Sequence, residues 1–92
     1  MTQLKPGLVI GIPCEVLKGP FAGEHMISVE TVDGWISGFV MDENLKIEGD
    51  KAYVRAEVRR FISDEVMEVL LAGSFFTTNG IATIPQEIAL AA

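Results

Sequence analysis

The sequence is poor in residues that build covalent or metal-bound sites. Its 92 residues include one cysteine, Cys14, and one histidine, His25. A single cysteine excludes an intramolecular disulfide and is typical of a reducing compartment, so we expect a cytoplasmic protein. A structural zinc site usually needs several Cys or His ligands, and Asp42, Glu43 and Glu48 lack the spacing of a calcium loop. We therefore predict no metal site and no cofactor.

Basic residues are also scarce. Seven Lys and Arg stand against thirteen Asp and Glu, which gives a net charge of −6 and a pI near 4.5. Nucleic acids and anionic membranes call for clustered basic side chains, and the one candidate cluster, Arg55, Arg59 and Arg60, is interleaved with Glu57. A nucleic-acid contact module stays a lesser alternative, which predicts affinity that falls steeply with salt and is lost when Arg59 and Arg60 become glutamate. No apolar run approaches the roughly 20 residues that span a bilayer, so no membrane contact is predicted.

Catalytic motifs are missing. His25 is the only imidazole, and no motif places it beside Cys14 or a serine nucleophile. Cys14 has Glu15 beside it and no basic neighbour in sequence to lower the pKa of its thiol. The glycine-rich phosphate loop with its lysine is not found. We expect a protein that is not an enzyme, and we assign no catalytic residue.

A β-hairpin is the clearest structural signal. Two β-rich segments, residues 27–32 and 35–40, are joined by Asp33-Gly34, which is typical of a two-residue type I′ turn with positive φ at both positions. This predicts Val32 opposite Trp35 and Ile27 opposite Val40. It also predicts one apolar face on which Gly38 leaves room for a group packed close to the sheet.

The remaining pattern predicts more strands. Residues 52–58 alternate apolar and polar side chains, as in a half-buried antiparallel strand. A single 3₁₀ turn is expected over 41–44, a second hairpin at Asn79-Gly80, and a short capped helix from Thr83 to about Leu90. Other strands are predicted over residues 8–17, interrupted at Pro13, and 45–47, 66–71, 74–78 and 81–84. We predict one all-β domain over residues 1–92, a small antiparallel barrel with an extra C-terminal hairpin and a short C-terminal helix.

The N-terminal half is similar to a known class of barrels. Gly19-Pro20-Phe21-Ala22-Gly23 after a strand resembles the loop of KOW-type barrels, and the stretch from Val32 through Gly38-Phe39-Val40 to Leu45 resembles bacterial SH3-like barrels. The resemblance implies a strand, a long loop, a hairpin, one 3₁₀ turn and a closing strand, over about half of the chain. It does not imply the usual partners, because acidic residues replace the basic loops of ribosome-binding KOW modules.

Apolar residues exceed what so small a chain can bury. They make up 49% of the sequence, with a mean hydropathy of +0.36, so we expect another subunit to cover part of the surface. The adjacent residues Phe75 and Phe76 lie in one strand and must face opposite ways, which leaves one ring exposed unless a partner covers it. We predict self-association through a strand pair over Val66 to Phe76, with the apolar tail Ile88 to Leu90 as a clasp.

These features predict a non-enzymatic binding or assembly module that self-associates and contacts other proteins. One alternative is an accessory or regulatory subunit that binds a small ligand in the barrel mouth, at Phe21, His25 and Trp35. The residues predicted to contact a ligand or partner are Phe21, His25, Trp35, Phe75 and Phe76.

Overall fold

The chain folds into one curled antiparallel sheet. A computed structural model describes residues 4–17, 22–76, 79–88 and 90–91. Two 3₁₀ turns, Asp42–Asn44 and Gln86–Ile88, interrupt the strands. The strands are β1 (Val9–Leu17), β2 (Glu24–Thr31), β3 (Gly34–Met41), β4 (Leu45–Glu48), β5 (Lys51–Phe61), β6 (Val66–Leu71), β7 (Ser74–Phe75), β8 (Ile81–Pro85) and β9 (Leu90–Ala91). The all-β antiparallel prediction is confirmed.

The strand order is β7-β3-β2-β1-β5-β6-β8, with β4 paired to β5 and β9 paired to β1. The sheet curls into a half-barrel, and the Val32 N–H donates to Thr83 O at 3.0 Å, which ties the end of the β2–β3 hairpin to β8. No helix among the described residues is long and apolar enough to cross a membrane.

The core lies on the concave face of the sheet. Side chains alternate between the two faces along each strand, so every second residue points inward. On β5 the inward set is Val54, Ala56 and Val58, as its alternation predicts. The buried core consists of Ile10, Ile12, Ile27, Val29, Val40, Val54, Ala56, Val58, Met67, Val69, Leu71, Phe75, Ala82 and Ile84.

The register of the first hairpin differs from the prediction by two residues. Thr31 pairs with Gly34 and Ile27 with Gly38, so Val32 and Asp33 are the central turn residues. Gly34 has φ of 111°, whereas no described residue other than glycine has positive φ. The predicted type I′ turn is therefore wrong: Asp33 avoids the left-handed region that an L residue disfavours. Because the register shifts by two residues, each side chain stays on its predicted face of the sheet, and the predicted apolar face is retained.

Thr31 closes this turn with its side chain. Its hydroxyl donates to Gly34 O at 2.7 Å and accepts from the Asp33 N–H at 3.1 Å, and the residue is buried. Thr31→Val keeps the shape but leaves both backbone groups without this partner, so we expect a loss of about 1–2 kcal/mol in the free energy of unfolding. Thr31→Ser retains the hydroxyl and should lose less. Urea unfolding of the two variants measures the difference, and equal losses would contradict this role of the hydroxyl.

The C-terminal part departs from the prediction in two ways. Strand β8 pairs with β6, from Val66 opposite Pro85 to Leu70 opposite Ile81, while β7 pairs with β3. The predicted hairpin between β7 and β8 at Asn79-Gly80 is wrong, because the β6–β8 connection carries β7 across to β3. The predicted C-terminal helix is also wrong: only the 3₁₀ turn Gln86–Ile88 forms, and β9 follows it against β1.

Candidate protein-binding surface

The outer face of the β2–β3 hairpin carries a row of apolar side chains. Leu17 of β1 lies opposite Met26 of β2, Met26 lies opposite Phe39 of β3, and the Phe39 ring contacts Phe76 just after β7. The two rings meet edge to face, with centroids 5.4 Å apart and an interplanar angle of 73°. With strands about 4.8 Å apart, the row crosses four strands over about 14 Å.

Trp35 and Met41 extend this row along β3. They lie four residues before and two residues after Phe39, so all three side chains share the outer face. Trp35 is 55% exposed and Met41 is also exposed. We call the six residues Leu17, Met26, Trp35, Phe39, Met41 and Phe76 the hairpin face. Single exposed apolar residues are ordinary on proteins, but a contiguous set is typical of an interaction site.

Phe75 and Phe76 divide between the two faces, as the sequence predicts. Phe75 is buried at 8% exposure against Gly38, and Phe76 is 59% exposed. The Phe76 N–H donates to Ser37 O at 3.0 Å, which holds its backbone beside β3. Phe75 is therefore a core residue and Phe76 a surface residue, so only Phe76 is open to a partner.

His25 and Trp35 do not form a common pocket. Trp35 faces outward opposite Glu30, whereas His25 lies opposite Val40 near the other end of the hairpin. His25 Nε2 hydrogen-bonds to Asp42 Oδ1. The remaining predicted pocket residue, Phe21, lies outside the described residues.

The His25–Asp42 contact ties the start of β2 to the first 3₁₀ turn. The Asp42 N–H also donates to Gly23 O at 3.0 Å, so side chain and backbone of Asp42 both bind the segment that leads into β2. By continuation of the β1–β2 register, His25 lies four residues, or about 13 Å, from the position opposite Cys14. The structure does not bring these two residues together.

Cys14 is half-buried beside Ala52. Burial raises the pKa of its thiol from 9.0 to about 11, so the thiol stays protonated at neutral pH. Three of the four serines form side-chain hydrogen bonds: Ser28 and Ser37 bond to each other at 2.8 Å, and Ser63 Oγ accepts from the N–H groups of Glu65 and Val66.

The charged residues considered for nucleic-acid or metal binding include Arg59 and Arg60 on β5 and Glu48 on β4. Arg60 makes a two-point contact with Glu68, through Nε at 3.2 Å and a terminal nitrogen at 3.4 Å. Arg59 lies at the register shift between Val58 and Arg60. Glu48 pairs with Lys46 at 2.9 Å. Across the described residues, no three His, Cys, Asp or Glu side chains are grouped so that they could hold a metal ion.

The strand pair predicted for self-association does not exist as a pair. Strand β6 lies between β5 and β8, so both of its edges are occupied, and β7 pairs with β3. Met67, Val69 and Leu71 face the core. The tail also contacts its own chain, since Ile88 packs against the core and β9 pairs with Ile10 and Gly11. Among the apolar residues predicted to associate, Phe76 is the one that belongs to the hairpin face.

Leu17, Met26, Phe39 and Met41 were not predicted as site residues. The available signal was the alternation along β2 and β3, which places Met26, Phe39 and Met41 on the outer face. Their contiguity with Leu17 and Phe76 depends on pairing among four strands. No protein-family model, curated protein or solved structure gives a significant match to this chain.

Proposed function

We propose that this chain is a non-enzymatic assembly module that forms homo-oligomers through the hairpin face. Its half-barrel is of the SH3-like type, and its compartment is the cytoplasm. The order of β1, a loop, the β2–β3 hairpin, a 3₁₀ turn and β4 supports the SH3-like assignment. The single free cysteine supports a reducing compartment.

One observation carries the proposal, namely the contiguous apolar row of the hairpin face. Phe76, Trp35, Met41 and Leu17 are each more than 40% exposed. Leu17, Met26, Phe39 and Phe76 adjoin in turn from β1 to the residue after β7, and Met41 lies two residues from Phe39 along β3. The Ser28–Ser37 pair separates Trp35 from this row. A standard interface covers about 800 Å² on each partner, about one seventh of the 5765 Å² surface described for this chain. Aromatic residues and Met are enriched at the centres of such interfaces.

The charges around the hairpin face determine how self-association depends on salt. Glu30 lies opposite Trp35 and Glu24 opposite Met41, so carboxylates flank the apolar row on β2. Two copies meeting through this face bring like charges close together at the rim. Salt screens that repulsion, so self-association should strengthen as salt is raised. A nucleic-acid contact would show the opposite trend.

The test is the molar mass of the protein by light scattering on a size-exclusion peak across about a hundredfold dilution. We expect an oligomer that dissociates at the lowest concentrations. Phe76→Ser removes the most exposed ring of the row, which packs edge to face on Phe39, and should raise the dissociation constant at least about tenfold. Ile62→Ser is the matched control, because Ile62 is 51% exposed but lies in the turn between β5 and β6, where its N–H donates to Val66 O.

Two outcomes would overturn the proposal. A monomeric native protein at every concentration would show that the hairpin face does not bind a second copy. Equal weakening by Phe76→Ser and Ile62→Ser would place the interface elsewhere. Both substitutions are at exposed sites, so the fold should persist, and far-ultraviolet circular dichroism checks this.

A further inference from the structure

A cleft opens on the outer surface away from the hairpin face. It has a volume of about 370 Å³ and lies where β1, β4 and β5 meet the first 3₁₀ turn. Val9 and Leu45 supply apolar walls, and Gly11 of β1 lies opposite Arg55 of β5. Ligand sites are typically concave and apolar, with a few polar groups that fix orientation. This cleft has that composition.

Two polar side chains of the cleft, Arg55 and Tyr53, are open to a ligand. Across the described residues, the Arg55 guanidinium makes no ion pair and the Tyr53 hydroxyl makes no hydrogen bond. Lys46, which also lines the cleft, is paired with Glu48 at 2.9 Å. Arg55 is therefore the one cation of the described lining without a carboxylate partner, and a ligand can take its donors without breaking a protein contact.

The strand architecture explains why Arg55 stays open. Strand β4 pairs with β5 only up to Val54, and β6 begins to pair with β5 at Ala56. Arg55 falls in the gap between these neighbours, with its backbone carbonyl accepting from the Ala72 N–H at 2.9 Å. Its side chain points to the outer face, like that of Tyr53.

We infer that this cleft binds a small free carboxylic acid with a short aliphatic body, its carboxylate on the Arg55 guanidinium. Arginine presents a planar fork of donors that matches a carboxylate, and the Tyr53 hydroxyl adds a donor nearby. The aliphatic body lies against Val9 and Leu45. Glu43 on the cleft wall disfavours ligands with a second negative charge.

The test is a titration of the full chain with 4-methylpentanoate, followed by amide chemical shifts. A ligand of about eight non-hydrogen atoms should bind with a Kd of about 1–10 mM. We expect saturable shifts confined to residues 9–11, 44–46 and 53–55. The neutral isostere 4-methylpentanamide should bind at least about tenfold more weakly, because it cannot form the charge-assisted pair.

Two variants decide the role of the arginine. Arg55→Gln should weaken binding of 4-methylpentanoate about tenfold, whereas Arg59→Gln removes an equal charge from the same strand and should leave binding unchanged. Phe76→Ser should also bind normally, because Phe76 does not line the cleft. Shifts that do not saturate, equal binding of acid and amide, or equal effects of the two arginine substitutions would each overturn the inference.

Discussion

Gly38→Ala is expected to lower the free energy of unfolding by about 3 kcal/mol, although it adds a single methyl group. A Cβ at this position would overlap the Ser74 carbonyl oxygen and lie 2.7 Å from both Cα and Cδ1 of Phe75. Two of these three atoms belong to the backbone of β7, so a side-chain rotation cannot relieve the clash. Either β7 moves off β3, or Phe75 leaves the core.

Urea unfolding followed by tryptophan fluorescence measures this loss, with an expected midpoint shift of about 2 M. Ser37→Ala on the same strand is the control, since it removes one exposed-face hydrogen bond to Ser28 and should cost about 1 kcal/mol. Phe75→Leu added to Gly38→Ala should not restore stability, because the contacts with Ser74 O and Phe75 Cα remain. A stability of Gly38→Ala within about 0.5 kcal/mol of the native chain would show that β7 does not rest on Gly38.

The role of Gly38 shows what the hairpin pattern can predict. Alternation assigns each residue of β2 and β3 to a face, and that assignment withstands the two-residue slip between the predicted and observed registers. The room left at Gly38 was therefore predicted correctly, and Phe75 fills it. The register itself was not predicted, because it depends on the Thr31 side chain closing the turn in place of a left-handed Asp33.

Local sequence patterns did not predict which strands pair when they lie far apart in the sequence. Asn79-Gly80 carries the turn chemistry of a hairpin, yet β7 pairs with β3 and β8 with β6. Core packing of Phe75 against Gly38 outweighs the local preference, since burial of a phenyl ring contributes about 2–3 kcal/mol. The prediction of a C-terminal helix was wrong for a related reason. A short capped segment has little helical stability of its own, and β9 instead gains pairing with β1.

The candidate surface was predicted only in part for the same reason. That one of Phe75 and Phe76 must be exposed follows from strand geometry alone. In the predicted register Phe39 would lie opposite Ser28, whereas the observed register places it opposite Met26. The apolar row becomes continuous only with the true register and with β7 beside β3. Exposed residues of different strands form a surface through long-range pairing, which a single sequence does not specify.

Cys14 should react with alkylating reagents much more slowly in the folded chain than in the unfolded chain. Burial raises the pKa of its thiol from 9.0 to about 11, which lowers the thiolate population near neutral pH about 100-fold. A thiolate of higher pKa is a stronger nucleophile, which offsets about tenfold of that loss. The net expectation is a rate about tenfold lower in the folded state, before any steric shielding of the half-buried sulfur.

The raised pKa of Cys14 also makes stability and thiol reactivity depend on pH. Between pH 9 and about 11 the folded chain retains the Cys14 proton that the unfolded chain has released. The stabilising contribution of the neutral thiol is therefore complete below pH 9 and is lost as the pH rises through the folded pKa. Alkylation by iodoacetamide, followed by mass spectrometry from pH 7 to 10 with and without urea, measures both states of this single thiol. The folded rate should keep rising through pH 10, while the rate in urea levels off near pH 9. A folded rate that also levels off near pH 9 would show that the thiol is solvated, and would contradict its placement beside Ala52.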